Sequence, residues 1–187
     1  MNTYEKARAF MYRCARPLEL ARWQYHFEGG SRENVLNALR FYQNDDGGFG
    51  HALEADNWNP ASTPITTLTA ADILDEIGFT DGAHPIIQGM LRYLDSGESF
   101  DTAANQWLNT IPSNNDHPHA CWWGWDGKDE LRYNPTAGLA AFILRYAAPA
   151  SPLYAKGLQI AGEAVRWFLA GEGKGERHVV GVFLPLY

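Results

Sequence analysis

The chain has 187 residues, 45% hydrophobic and 20% charged, and a net charge of −7. That length suits a single domain burying about 70% of its unfolded surface. Its acidic balance, with Lys and Arg scattered rather than in runs, argues against a nucleic-acid or anionic-membrane partner. Two cysteines, Cys14 and Cys121, make no disulfide framework and point to a reducing, cytoplasmic setting. The opening MNTYEKARAF has no apolar stretch of the signal-peptide kind. The longest apolar run, residues 137–144, is too short to span a bilayer.

Helix signals dominate from the start. Over residues 4–27 the apolar side chains of Phe10, Met11, Cys14, Leu18, Ala21 and Tyr25 fall at spacings of three and four. Pro17 breaks this stretch into two helices. Ser31 is an N-cap for a helix carrying Val35, Leu36, Leu39 and Tyr42. Three later helices share a start signal, a capping residue before proline: Thr63-Pro64, Asn134-Pro135 and Ser151-Pro152. They predict helices over 65–77, 136–147 and 153–169, with another over 85–94 between the first two. The connection from 94 to 135 is too long to lack structure of its own, and a short helix is expected over 102–108.

These pieces repeat. LRFY at 39–42 matches LRYL at 91–94, and PITTLTAADIL at 64–74 matches PTAGLAAFIL at 135–144 with one gap. A third unit is expected to open at 164–172, while the last segment, RHVVGVFLPLY, offers no evident closing helix. A unit of helix, long loop and helix cannot bury its apolar face alone, so neighbouring units stack.

The most specific string is QNDDGGFG, residues 43–50. Gln43 can bond backbone groups at an adjacent helix end. Gly47 and Gly48 permit a sharp turn, and Phe49 packs beneath it. This string resembles the repeat motif of the α/α toroid superfamily, the terpenoid cyclases and the β subunits of protein prenyltransferases. The resemblance implies an all-α fold of stacked helix hairpins, a partial α/α toroid, within one repeat domain over 1–187. The chain has fewer hairpins than a closed ring of that family. An open arc, a homodimer that completes the ring and a piece of a longer toroid all stay open. The catalytic marks of the family are missing. Asn44-Asp45-Asp46 is not the cyclase aspartate motif, Cys121 lacks the zinc-site context, and an acidic chain does not suit a diphosphate pocket.

Two loops carry candidate chemistry. After the glycines come Asp45, Asp46, His51, Glu54 and Asp56. Carboxylates near each other can have their pKa values pushed apart, giving an acid and a base, with a His to orient or relay. Asp45 and Asp46 also serve turns, so the expectation concentrates on His51, Glu54 and Asp56. The second loop holds His117, His119, Cys121, Trp122, Trp123, Trp125 and Asp126. Alternate His117, His119 and Cys121 suit zinc in an extended strand, yet the usual zinc spacing is wider and paired, so no metal is expected. Otherwise Cys121 is a buried residue. Flat aromatics beside Asp126 suit a sugar ring, an isoprenoid or a cation, and equally a plug anchoring the loop. Arg132 precedes a helix start and is a further ligand-binding candidate. His26, His84 and His178 have no partners visible in the sequence.

The expectation is a prenyltransferase- and cyclase-like repeat protein whose pocket takes a small, apolar or ring-bearing molecule. Any catalysis would fall to His51, Glu54, Asp56 and Asp126, with Trp122, Trp123, Trp125 and Arg132 binding the ligand. Carbohydrate-active α/α toroids, with carboxylate pairs and tryptophan platforms, are the first alternative. A non-catalytic interaction scaffold is the second. No cofactor is specified by any motif.

Overall fold

The computed structural model describes residues 2–129, 132–171 and 177–186, with backbone only for 177–179. Among them are eight α-helices: α1 Thr3–Cys14, α2 Pro17–Phe27, α3 Arg32–Leu39, α4 Pro64–Glu76, α5 Pro85–Ser96, α6 Thr136–Tyr146, α7 Pro152–Leu169 and α8 Arg177–Phe183. Capping chemistry fixes several starts. Ser31, Thr63 and Ser151 accept from the backbone N–H three residues on, and Pro17, Pro64 and Pro152 occupy first helical turns. Pro17 divides α1 from α2 as its missing N–H demands.

Two helices are buried almost all round. Every residue of α6 from Thr136 to Ile143 is buried, and so are nine residues of α4. These are the two helices that match each other in sequence, and they pack side by side, with α5, α7 and α8 against α6. The C-terminal ends of α2, α4 and α6 are laced together. Arg22 and His26 bond Glu76, the Tyr25 hydroxyl donates to the Ile77 carbonyl at 3.1 Å, and Arg145 pairs with Asp75. Burial works to raise the Glu76 pKa, but the hydrogen bonds from Arg22 and His26 win and hold it below its ordinary value.

The glycine turn clasps two units. Gln43 Nε2 donates to the Gly47 carbonyl at 2.9 Å and to the Ile86 carbonyl, in the first turn of α5, at 3.1 Å. Gly47 has φ +95°, and a Cβ there would lie 2.0 Å from the Gly89 carbonyl oxygen. A side chain at Gly89 would in turn meet Gln43. Phe49, fully buried, bridges Gln43 and Thr63, and its N–H donates to Thr67 Oγ1 at 3.1 Å.

Several expectations need correction. Residues 102–108 are not helical. Phe100–Asp101 (β1) and Gln106–Trp107 (β2) pair antiparallel, because Asp101 Oδ1 accepts from the N–H groups of Ala103 and Ala104 and Asn105 takes φ 57°. Trp107 anchors this hairpin, completely buried, with Lys156 over its ring. Of the third unit expected at 164–172, residues 164–169 form the last turns of α7, and Glu172 lies outside the described residues. The last segment does contain a helix, α8, followed by a 3-10 turn over Leu184–Leu186. Asn134 makes no capping bond, and Pro135 is itself the cap residue of α6. His26 bonds Glu76, His84 caps α5 through Nδ1, and the His178 side chain lies outside the described residues.

Candidate functional site

The two loops before α4 and α6 meet. The helices they enter, α4 and α6, have their C-terminal ends tied together by Arg145–Asp75 and by the Tyr146 hydroxyl on the Phe79 carbonyl, so the two loops emerge at the same opposite end. The Trp58 N–H donates to the Pro118 carbonyl at 2.9 Å, the Ala120 N–H to the Asp56 carbonyl at 2.8 Å, and Asn57 bridges His119. Asn59 Nδ2 donates to Ser113 Oγ and Asn114 Oδ1, both at 2.9 Å. Asn57, Asn59 and Asn114 are buried, so this seam is a closed polar network.

Within the first loop, His51 and Ala52 both take positive φ, 56° and 60°. Such angles are uncommon away from glycine. Arg16 reaches from the start of α2 to hold the Ala52 carbonyl. The kink delivers Glu54 against α4, where its Oε2 accepts from Thr69 Oγ1 at 3.0 Å. Thr69 and Asp72 stand three residues apart on one face of the helix, so Glu54 sits one turn from Asp72. Burial pushes the Asp72 carboxyl up to about 6, and Asp75 and Glu54 add to the rise. Asp72 is ringed by protein, yet its side chain still opens onto solvent.

That solvent fills a cleft of about 1280 Å³. Its floor is α4 (Ile65, Leu68, Thr69 and Asp72) with Gly138 of α6, and its walls are the two loops and the turn after α8. Among the expected residues, Glu54, Asp56, Asp126, Trp122, Trp123 and Arg132 line it. The Trp123 indole N–H donates to Asp56 Oδ1 at 2.6 Å, a charge-assisted bond that ties one loop to the other. Trp122, which lines the cleft, is 63% exposed. Asp129 also lines the cleft, its Oδ2 accepting from the backbone N–H groups of Asn109 and Thr110.

Two expected residues are not part of this lining. His51 is exposed, and its Nε2 bonds Asn44 Oδ1 at 2.8 Å. Trp125 is held by paired bonds with Asn115, at 2.8 and 2.9 Å. Cys121 is exposed rather than buried, because it opens a 3-10 turn on the surface of the loop. His119 Nδ1 engages the His117 carbonyl at 2.7 Å. Among the described residues, no group of three His, Cys, Asp or Glu is placed to hold a metal ion.

Asp72 escaped the sequence reading, although a signal existed. Where α4 reads Ala71-Asp72-Ile73-Leu74, the matching helix reads Ala141-Phe142-Ile143-Leu144. A carboxylate replaces an apolar residue in a helix that is otherwise nearly all buried. Such an exchange is costly unless solvent or a partner reaches the charge.

Among the described residues, five carboxylates line the cleft (Glu54, Asp56, Asp72, Asp126 and Asp129) against two cations, Lys128 and Arg132. It therefore disfavours anions and favours groups that donate hydrogen bonds. Among the described residues no helix is long and apolar enough to cross a membrane. No family model matches the chain, and no curated protein or solved structure does.

Proposed function

We propose that the cleft binds a ring-bearing, hydroxyl-rich ligand of the saccharide class, on a partial α/α toroid of the cyclase and prenyltransferase kind. One observation carries this reading: an exposed indole, Trp122, lines the same open cleft as the Glu54 and Asp72 carboxyls. An indole face takes the C–H face of a sugar ring, and carboxylates accept from its hydroxyls. The acidic lining weighs against an isoprenyl diphosphate, which needs cations. The alternation of buried α4 and α6 with amphipathic α5 and α7 supports the toroid. Two free cysteines support a cytoplasmic location.

Any reaction at this site would be acid–base. Asp72 keeps its proton nearer to neutrality than an ordinary aspartate, which suits a general acid. Glu54, held by Thr69, is the partner carboxyl. Such a pair serves glycoside cleavage.

Titration calorimetry against hexasaccharides of glucose, xylose, mannose and N-acetylglucosamine tests the reading, with chromatography of each mixture for products. Binding of at least one, weakened tenfold or more by Trp122→Ala, supports it. Loss of turnover with retained binding in Glu54→Gln and Asp72→Asn assigns the acid–base pair. Binding of none, or binding indifferent to Trp122, refutes it.

A specific observation favours a second reading, an interaction scaffold. Phe10 of α1, Phe27 of α2 and Phe41, in the 3-10 turn after α3, are 60 to 85% exposed and offer apolar surface to a partner.

A further inference from the structure

A second cavity of about 490 Å³ adjoins the cleft, and the two share Leu68, Asp72, Gly138 and Pro185 as lining. Their chemistry differs. Beyond the shared residues, the smaller one is walled by Ala71, Ala141, Phe142, Leu144 and Leu186. The polar residues at its edge are already engaged, Arg145 with Asp75 and the Tyr146 hydroxyl with the Phe79 carbonyl at 2.9 Å. Arg145 also lies over the Tyr146 ring. A hydroxyl-rich group entering this space would exchange water for few new partners, whereas an apolar group would cover the apolar walls, at the cost of desolvating part of the Arg145–Asp75 pair. Its volume falls in the range of small-molecule sites.

We propose that this cavity holds the apolar aglycone of the ligand whose sugar rings lie in the cleft, so that the ligand is an amphipathic glycoside. The inference rests on the saccharide reading of the larger cleft. Leu68 and Asp72, on the α4 face common to both cavities, mark the crossing point, with Gly138 opposite on α6. A Cβ at Gly138 would lie 2.6 Å from Leu68 Cδ1, so the bare glycine lets Leu68 of α4 pack close against α6 at that crossing. The glycosidic bond of such a ligand would then lie beside Asp72 and Glu54.

Calorimetry with methyl and octyl glycosides of glucose, galactose and maltose, kept below their micelle concentrations, tests this. The octyl form is expected to bind at least tenfold tighter than the methyl form of the same sugar. Ala141→Phe, which fills the cavity, should erase that gain and leave methyl-glycoside or oligosaccharide binding within about twofold. Leu186→Lys, at a partly exposed wall position, should do the same if the first variant fails to fold. Sugars that bind with no gain from the octyl chain overturn this inference and leave the saccharide reading standing. A gain that survives both variants also overturns it, because the chain then lies elsewhere. Failure of every sugar and every glycoside to bind refutes both.

Discussion

Replacing Asp72 by Asn should stabilise the protein in alkali and not in acid. Folding lifts the Asp72 carboxyl from 3.8 to about 6, first through burial and then through Asp75 and Glu54. Between those two values the folded state holds a proton that the unfolded state has released. Stability from this group is therefore fully present below about pH 4 and is lost as pH rises through about 6. A rise of that size corresponds to about 3 kcal/mol at about 1.4 kcal/mol per pKa unit. Asp72 opens onto cleft water, however, and screening reduces the effect to roughly 1 kcal/mol. Urea unfolding of both proteins at pH 4 and pH 8 measures it. Asp72→Asn should gain roughly 1 kcal/mol at pH 8 and almost nothing at pH 4. Added salt should shrink the gain by screening Asp75 and Glu54. Equal gains at both pH values, or a loss at pH 8, would refute the environment assigned to this carboxyl.

Gly47→Ala should destabilise by on the order of 3 kcal/mol or abolish folding, since it combines positive φ with a clash against backbone; thermal unfolding reads this directly. Trp123→Phe keeps an aromatic side chain but removes the indole N–H, so hydrogen exchange should accelerate in both loops together, with a stability loss of roughly 1 kcal/mol. Trp107→Ala should cost about 3 to 5 kcal/mol in chemical unfolding, because the residue is wholly buried beneath Lys156 and against Phe100.

Much of the scaffold was legible because local chemistry specifies it. Ser31, Thr63 and Ser151 announce helix starts through short-range bonds that need no tertiary context. The Gln43 clasp was legible too, since positive φ at Gly47 leaves a residue-type signature. The 100–107 hairpin was not, because Asp101 ties its turn through its own side chain while Trp107 draws its burial from α7 and α6. The site was half legible. Glu54, Asp56 and Trp123 sit in conspicuous loops, and their loops do share a rim. His51 was misjudged for the cleft because its direction depends on a backbone kink stabilised by Arg16, distant in sequence. Asp72 hid inside a helix whose apolar pattern says core, and the openings beside it explain how a charge stands there.

In the proposed function, two loops and α4 together form one saccharide-binding cleft. A crystal structure with the tightest-binding oligosaccharide of the panel tests it most directly. A sugar ring stacked on Trp122, with hydroxyls within hydrogen-bond distance of Glu54 or Asp72, is the result expected. A sugar bound anywhere else on the surface, with that cleft left to water, would contradict it.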